Sequence, residues 1–273
     1  MANIIELLYH LIMNNDYLFR EQQELNILNS HLSKPFSIGK LNNANQILKI
    51  EKVDKIYFIK ISSKGNLTSE YEKLKWLDGK LNVPRIALYD YTNDTEYLIT
   101  ESVGGEMVCS EYYLNNPKIG IKVIAEAFKQ INKVDIENCP FNTSIDYKLL
   151  LVENNVKNNL IHLEDIKEAT LKRFGSLENI IQFLKDNKFD DEQCFSHGDT
   201  SLPNIFASGN KFVGFIDVGE CGIADKWFDL AICEKSIRRN YGEDYIQQFY
   251  NELDIVPDRE KINYYLLMME LYL

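Results

Sequence analysis

The chain has 273 residues, of which 45% are hydrophobic and 26% charged, a composition typical of a globular protein with one large domain or two. Its net charge of −11 argues against a nucleic-acid binder, because a phosphate backbone would be repelled. The same acidity favours a small cationic ligand.

The cysteines and the start of the chain predict a cytoplasmic protein. The five cysteines are scattered and never spaced C-x-x-C, which is typical of reduced thiols and not of a disulfide framework or a zinc site. Residues 1–16 carry Glu6 and His10 and lack a basic start, which predicts an amphipathic helix, not a signal peptide. No stretch approaches the ~18 apolar residues of a membrane span. We expect no membrane or nucleic-acid partner, and a monomer or weak dimer.

The first hundred residues have the patterns of strands separated by turns. NQILKIE and KIYFIKI predict a hairpin, and VPRIALYDYTNDTEYLITES predicts two further strands around TND. Between them, TSEYEKLKWLDGKLN predicts a helix with Thr68 or Ser69 as its N-cap. VGGE, residues 103–106, is the predicted hinge, because two adjacent glycines do not fit inside a regular element.

Beyond the glycines the pattern becomes helical. IGIKVIAEAFKQINKV places Ile121, Ile124, Phe128 and Ile131 on one stripe, and SLENIIQFLKDN and REKINYYLLMMELYL are helical as well. The exception is IFASGNKFVGFID, which predicts two short strands.

These elements predict an α+β fold with two lobes. The small antiparallel-sheet lobe covers residues 1–101, the hinge covers 102–105, and the larger helical lobe covers 106–273. Small-molecule sites usually lie in clefts between such lobes.

The stretches HGDTSLPN and IDVG carry the chemistry. Asp199 follows His197 by two residues, Asn204 follows five later and Asp217 thirteen after that. The spacing matches the protein-kinase catalytic loop H-R-D-L-x-x-x-N and its later magnesium-binding Asp. In phosphoryl transfer one carboxylate faces the attacking hydroxyl, while an amide oxygen and a second carboxylate hold Mg²⁺. The pattern predicts these roles for Asp199, Asn204 and Asp217, although each alone would be an ordinary turn residue, and it predicts a structural role for His197.

A second set of residues lies in the predicted sheet lobe. In KIYFIKI the period of two places Phe58 and Lys60 on one strand face, which suits an adenine ring and phosphates. Glu70 lies on the apolar stripe that Leu74 and Leu77 continue, and a carboxylate there needs a cationic partner. We expect a Lys60–Glu70 ion pair of the kind that positions ATP in kinases, the alternative being two solvated side chains.

These motifs are similar to those of the aminoglycoside phosphotransferases, most closely the 3′-phosphotransferases. FSHGDTSLPNIF, GFIDVGECGIADKWFDLAIC, KSIR and KINYYLLMMEL resemble that group nearly residue for residue, and WLDGKLNVP, CSEYY and NCPFNTSID extend the match into both lobes. The resemblance implies a protein-kinase-like fold, ATP or GTP with Mg²⁺, and transfer of the γ-phosphate to the 3′-hydroxyl of a cationic antibiotic.

The resemblance also implies residue roles. Asp199 would be the catalytic base or the group that orients the hydroxyl, and Asp229 would brace its loop. The implied nucleotide-binding residues are Phe58, Lys60, Glu70, Ile99, Thr100 and Ser102. Lys60 would bind the α- and β-phosphates, and Glu70 would hold Lys60. Phe58 would stack on adenine with Ile99 at the back of the pocket, and backbone groups of residues 100–102 would bond the edge of the base. Residues 37–50 would form the loop over the phosphates. The implied substrate-binding residues are Asp199, Glu220, Lys235, Arg239, Glu270 and Tyr272.

The substrate side departs from the family pattern. The close relatives carry Arg at the position of Glu220, Glu at that of Arg239 and an acidic residue at that of Met269. Losing two charge-assisted contacts of about 1.5–3 kcal/mol each would lower the affinity for a polycation about 10²–10⁴-fold. Glu220, Glu164 and Asp165 would offset part of that loss.

Three alternatives are open at this point. A kinase of the same fold could act on a hydroxyl of a non-aminoglycoside, which an aminoglycoside panel would distinguish. A binding protein without chemistry would show equal nucleotide turnover in the wild type and Asp199→Ala. A metal hydrolase built on His197, Asp199 and Asp217 is disfavoured, because only one of the four His lies near the motif.

Overall fold

The computed structural model describes residues 38–39, 46–51, 55–91 and 93–272. The predicted N-terminal helix and the middle of the predicted phosphate loop lie outside these residues. The chain divides into two compact units. The first unit comprises the described residues up to Gly104 together with residues 214–219, and the second unit comprises residues 105–213 and 220–272. None of the helices in the described ranges is long and apolar enough to cross a membrane.

The first unit is built on a five-stranded antiparallel sheet in the order β1-β2-β3-β5-β4. Its strands are β1 Ile38–Gly39, β2 Gln46–Glu51, β3 Ile56–Ser63, β4 Ile86–Tyr91 and β5 Thr95–Glu101. Both predicted hairpins are present, as the pairs β2–β3 and β4–β5. The helix α1, Thr68–Leu77, follows β3 along the chain.

The two faces of β3 differ as its period of two predicts. Tyr57, Ile59 and Ile61 are buried, whereas Phe58 and Lys60 on the opposite face are half-buried. The helix α1 is joined to the second of these faces through Glu70, which contacts Lys60. Lys60 therefore lies on the face of the sheet from which Glu70 of the helix approaches.

The start of α1 is held by a glutamate from another strand. Neither Thr68 nor Ser69 is the N-cap, so that prediction is wrong: the N-cap is Leu67, which has no side-chain cap of its own. Its backbone N–H donates to Glu96 of β5 at 2.7 Å, and the Thr68 hydroxyl donates to the other oxygen of Glu96 at 2.7 Å. Burial alone would raise the pKa of Glu96, but these hydrogen bonds lower it. A strand carboxylate thus replaces the usual local cap.

Residues 214–219 belong to the first unit, whereas the sequence pattern places them in the helical lobe. The N–H of Phe215 donates to the carbonyl of Asn82 at 2.8 Å. A Cβ at Gly214 would lie 2.9 Å from Cβ of Val103, which indicates a close backbone approach. These contacts fix the segment to the residues that flank the sheet.

The second unit combines two small sheets with helices. One sheet has the order β6-β8-β9 and the other pairs β7 with β10. The strands are β6 Glu106–Met107, β7 Gln193–Ser196, β8 Ile205–Ser208, β9 Lys211–Phe215, which ends in the first unit, and β10 Gly222–Asp225. The helices are α2 Glu111–Asn115, α3 Pro117–Ile131, α4 Ile145–Lys157, α5 Glu168–Phe174, α6 Leu177–Asp186, α7 Lys226–Asn240, α8 Ile246–Leu253 and α9 Arg259–Met268. The predicted stripe of α3 is buried, as expected.

A buried carboxylate joins three helices of the second unit. Glu234 of α7 is only 1% exposed, and it accepts from the Tyr250 hydroxyl at 2.5 Å. It also accepts from Arg259 at 2.8 Å and from Arg238 at 2.6 Å. Burial alone would raise the pKa of Glu234, but the hydrogen bonds from Tyr250 and the two arginines lower it. The carboxylate is therefore charged in the folded protein.

We predict that Glu234→Gln lowers the free energy of unfolding by about 1.5–3 kcal/mol at pH 7, because it removes charge-assisted bonds to half-exposed arginines. Since the folded pKa lies below the unfolded value of about 4.3, this contribution is complete above that pH and is lost as the pH falls through the folded pKa. Thermal unfolding at several pH values should show the difference between wild type and variant narrowing below about pH 4. The control is Glu243→Gln, since Glu243 is an exposed partner of Arg238. An equal loss in both variants would contradict the account.

Candidate active site

In the first unit, one ammonium group meets two carboxylates. Nζ of Lys60 donates to both oxygens of Glu70, at 2.7 and 2.8 Å, and to Oδ1 of Asp217 at 3.1 Å. The predicted Lys60–Glu70 ion pair is therefore confirmed as a contact. Burial alone would lower the pKa of Lys60, but the two carboxylates raise it above its ordinary value. The ammonium is charged and held in place.

Asp217 has an unusual backbone. Its φ is +61°, a left-handed conformation that non-glycine residues adopt at a cost of about 1–3 kcal/mol. Its side chain is 57% exposed, although one oxygen contacts Lys60. Strained backbone of this kind clusters at functional sites, where the surrounding contacts maintain it.

The predicted nucleotide residues do not all share one face of the sheet. The register pairs Phe58 with Thr100, so both lie on the face of Lys60. It also pairs Ile59 with Ile99, which places Ile99 on the opposite face, where it is 1% exposed. The structure thus does not bring Ile99 together with Phe58 and Lys60. The sequence could not reveal this, because alternation along one strand does not fix which residue of the next strand stands opposite.

Some backbone groups at the end of β5 already form hydrogen bonds within the protein. The N–H of Ser102 donates to the carbonyl of Ile56 at 2.8 Å, and the N–H of Glu101 donates to the carbonyl of Arg85 at 2.8 Å. The edge of a bound base would have to form hydrogen bonds with other backbone groups of residues 100–102.

In the second unit, the loop after β7 fixes the carboxylate of Asp199. Its Oδ1 accepts from the N–H of Ser201 at 3.1 Å, and its Oδ2 accepts from Nδ2 of Asn204 at 2.8 Å. Asn204 is buried and also donates to the carbonyl of Asp199 at 3.0 Å. The two predicted residues are therefore in direct contact, and the carboxylate has one orientation.

A buried aspartate braces this loop from α7. Asp229 accepts from the N–H of His197 at 2.7 Å and from the N–H of Gly198 at 3.0 Å. Nδ1 of His197 accepts from the N–H of Asp199 at 3.2 Å. The predicted bracing by Asp229 and the orienting hydrogen bonds of His197 are present as contacts. Burial raises the pKa of Asp229, while His197 and the two backbone N–H groups oppose that shift.

The predicted substrate residues of the second unit differ in burial and in their contacts. Tyr272 lies against Phe228, with ring centroids 6.1 Å apart, and burial and the nearby charge of Glu220 raise the pKa of its hydroxyl. Glu220 is exposed, as are Lys235 and Arg239, which are four residues apart on α7 and so share one helix face. Met269 is half-buried in the short 3₁₀ helix Met269–Leu271.

Glu270 contacts a residue that the sequence analysis missed, Lys167. Its Oε1 accepts from Nζ of Lys167 at 2.9 Å, and its Oε2 accepts from the N–H of the same lysine at 3.1 Å. The Glu270 side chain is only 8% exposed, whereas Lys167 is 64% exposed. Both residues line a groove of about 810 Å³ along α5, α6 and α9. Glu164 and Asp165, three and two residues before Lys167, are exposed.

The oxygen donors of the predicted metal ligands suit Mg²⁺. Within the described part of the chain, no three His, Cys, Asp or Glu side chains are grouped so that they could hold a metal. The amide nitrogen of Asn204 is committed to Asp199, which leaves its oxygen as the ligand atom. Asp217 adds an exposed carboxylate. Mg²⁺ in proteins usually binds few protein oxygens, and water and phosphate supply its remaining ligands.

Comparison with known proteins gives a consistent result. The sequence pattern of the Phosphotransferase enzyme family matches residues 39–265. The aminoglycoside 3′-phosphotransferase of Enterococcus faecalis is 35% identical over 246 residues, which cover 87% of this chain and 90% of that protein.

Two solved structures share the fold. The crystal structure of an aminoglycoside-3′-phosphotransferase of type VIII superposes with a TM-score of 0.76 at 23% identity, covering 92% of this chain and 98% of that one. A Streptomyces rimosus aminoglycoside phosphotransferase in complex with ADP and streptomycin superposes with a TM-score of 0.69 at 20% identity, covering 91% and 97%. The predicted α+β, kinase-like fold is therefore confirmed.

We predict that Gly198→Ala lowers kcat at least tenfold, because a Cβ at this position would lie 2.3 Å from the carbonyl oxygen of Glu220 and φ is +87°. The loop that carries Asp199 would have to move, and small displacements of positioned groups cost rate. Steady-state kinetics of the folded variant tests this.

Gly209→Ala is the matched control, since φ is also positive there, at +57°, and an added Cβ would meet no atom within 4 Å. We expect a similar backbone cost of about 1 kcal/mol in stability and an unchanged kcat. Equal losses of activity in the two variants would show that crowding at Gly198 does not set the loop.

Proposed function

The chain belongs to the phosphotransferase enzyme family, and we propose that it transfers the γ-phosphate of ATP or GTP to the 3′-hydroxyl of an aminoglycoside. The observation that carries the proposal is the hydrogen-bonded pair Asp199–Asn204, together with the contact of Lys60 with Asp217. These are the groups that phosphoryl transfer requires. We infer the acceptor from the names of the relatives, which are aminoglycoside 3′-phosphotransferases.

Asp199 is the group that faces the acceptor hydroxyl. Both of its oxygens accept one fixed hydrogen bond, so the carboxylate has remaining lone pairs in a defined direction. It takes up the proton of the hydroxyl as the O–P bond forms and the bond from the γ-phosphorus to the leaving nucleoside diphosphate breaks. Asp229 keeps the loop in this conformation through backbone N–H groups.

Lys60 binds the α- and β-phosphates. Its ammonium contacts both Glu70 and Asp217. Glu70 retains the ammonium during turnover, while phosphate oxygens provide further charge-assisted contacts. Phe58, on the same strand face, contributes an apolar surface for the base.

Asn204 and Asp217 hold Mg²⁺ through their oxygens. When bound, the ion neutralises charge on the phosphate oxygens. The free thiols of the five cysteines agree with a reducing compartment, and we place the enzyme in the cytoplasm, where ATP, GTP and Mg²⁺ are available.

The acceptor is a cation. The net charge of −11 raises the local concentration of a polycation, and Glu220 is an exposed carboxylate beside Tyr272. Lys235 and Arg239 restrict which polycations fit, because they repel a closely placed ammonium group.

We predict that the purified enzyme phosphorylates an aminoglycoside with a 3′-hydroxyl and does not phosphorylate a matched 3′-deoxy aminoglycoside. Asp199→Asn should lower kcat about 10²–10⁴-fold, since it removes the proton acceptor, with the nucleotide Kd nearly unchanged. Mass spectrometry of the product and coupled nucleotide turnover measure both effects.

Asp186→Asn, an exposed change on α6, is the control and should keep full activity. Phosphorylation of other hydroxyl compounds without any aminoglycoside turnover would contradict the substrate assignment but not the transferase chemistry. Equal turnover in wild type and Asp199→Asn would contradict the chemistry.

Lys167 competes with a cationic substrate for the carboxylate of Glu270. An ammonium group that binds Glu270 competes with Nζ of Lys167, which contacts the carboxylate at 2.9 Å. Because Lys167 is mostly exposed, the pair is worth at most about 1 kcal/mol, so exchange is easy.

We predict that Lys167→Met lowers KM for the aminoglycoside about two- to fivefold and leaves kcat unchanged, because the substrate no longer competes with a cation of the chain. Steady-state kinetics at low and high salt should show the gain shrinking as salt screens the charges. Lys172→Met removes an exposed ion pair on α5 and is the control. A higher KM in Lys167→Met would show instead that the lysine holds Glu270 ready for the substrate.

A further inference from the structure

The helix α1 carries a second cation that contacts the site segment of the first unit. Nζ of Lys73, a buried residue, donates to the carbonyl oxygen of Gly219, and the hydroxyl of Ser69 donates to the same oxygen at 3.4 Å. Gly219 lies two residues after Asp217. The helix therefore grips the backbone next to the exposed carboxylate.

Lys73 and Glu70 are three residues apart, so they lie on neighbouring positions of one helix face. Glu70 holds Lys60 at 2.7 Å, and Lys60 in turn contacts Asp217 at 3.1 Å. The helix α1 is thus linked to Asp217 by two chains of contacts. One runs from Glu70 through the Lys60 ammonium, and the other runs from Lys73 through the Gly219 carbonyl.

The helix itself has a fixed position. Glu96, which is 2% exposed, accepts from the N–H of Leu67 and from the Thr68 hydroxyl, both at 2.7 Å. This joins the first turn of α1 to the interior strand β5. Because the helix is anchored, a side chain on it that donates a hydrogen bond also fixes the position of the group that accepts the bond.

We propose that Lys73 is a positioning residue for the magnesium ligand Asp217, resting on the role that the proposed function gives to Asp217. The Lys73 ammonium holds the Gly219 carbonyl, and this contact maintains the left-handed backbone of Asp217, whose φ is +61°. Without it the strained conformation relaxes, and the carboxylate no longer meets a metal–nucleotide complex in the same place. The nucleotide's own contacts with Lys60 remain.

The Gly219 carbonyl has a specific reason to be bound by a cation. A hydrogen bond from an ammonium to a carbonyl is stronger than a neutral one, and a buried ammonium itself requires acceptors. Methionine has a similar length and no donor, so Lys73→Met removes the hydrogen bond while it fills much of the same volume. The exposed Lys75 on the same helix offers a matched change, Lys75→Met.

The test measures the Kd of a fluorescent ATP analogue for the full chain, with Mg²⁺ and with EDTA. In Lys73→Met we expect the Kd in EDTA to stay within twofold of wild type, and the Kd in Mg²⁺ to rise at least fivefold. The Mg²⁺ concentration for half-maximal nucleotide turnover should rise by a similar factor. Lys75→Met should match the wild type in all three measurements.

Two results would overturn the proposal. The first is identical metal dependence in Lys73→Met and Lys75→Met. The second is an equal loss of affinity for the ATP analogue with and without Mg²⁺, which is what a merely structural role would give. If Lys73→Met does not fold, Lys73→Gln decides, because its amide is too short to reach the same carbonyl, and an unchanged metal dependence there overturns the proposal. Failure of aminoglycoside turnover with this metal-specific shift intact would refute the acceptor and leave Lys73 in its role.

Discussion

The ammonium of Lys60 between the carboxylates of Glu70 and Asp217 is the interaction on which the candidate site of the first unit depends. Three charged groups that are partly removed from water hold one another only while their supports stay in place. The supports are the strand β3, the helix α1 with its anchor at Glu96, and the segment 214–219. A nucleotide that brings phosphates to Lys60 therefore meets a cation whose direction is already set.

In the second unit, hydrogen bonds give the loop of Asp199 its fixed position. The loop of Asp199 is held through backbone N–H groups that donate to the buried Asp229, and through the amide of Asn204. Backbone donors leave the side chains of the loop available for chemistry, which explains why a carboxylate from α7 is buried under it. The close approach of residues 198 and 220 then requires a glycine.

The sequence predicts best what local patterns encode. Lys60 and Glu70 are only 10 residues apart and each interrupts an apolar stripe, so the periodicity of the sequence is enough to predict their pairing. Lys167 and Glu270 are 103 residues apart, and no periodicity connects them. The family resemblance implies a place for Ile99 in the nucleotide pocket, but strand register decides its face. The cap of α1 comes from Glu96, a residue of a different strand, which the sequence around Thr68 does not contain.

The residues proposed to bind the acceptor differ from a simple acidic pocket, because they carry charges of both signs. Glu270 is shielded and already bound by Lys167, whereas Glu220 is exposed. Under the proposed function, an incoming polycation would meet Glu220 at the surface, but it would compete with Lys167 for Glu270. The helix α7 meanwhile presents Lys235 and Arg239. Under the proposed function, selection of the substrate would depend on the spacing of the acceptor's ammonium groups more than on the number of acidic residues in the chain. Those ammonium groups would have to reach the two carboxylates while they avoid the two cations of α7.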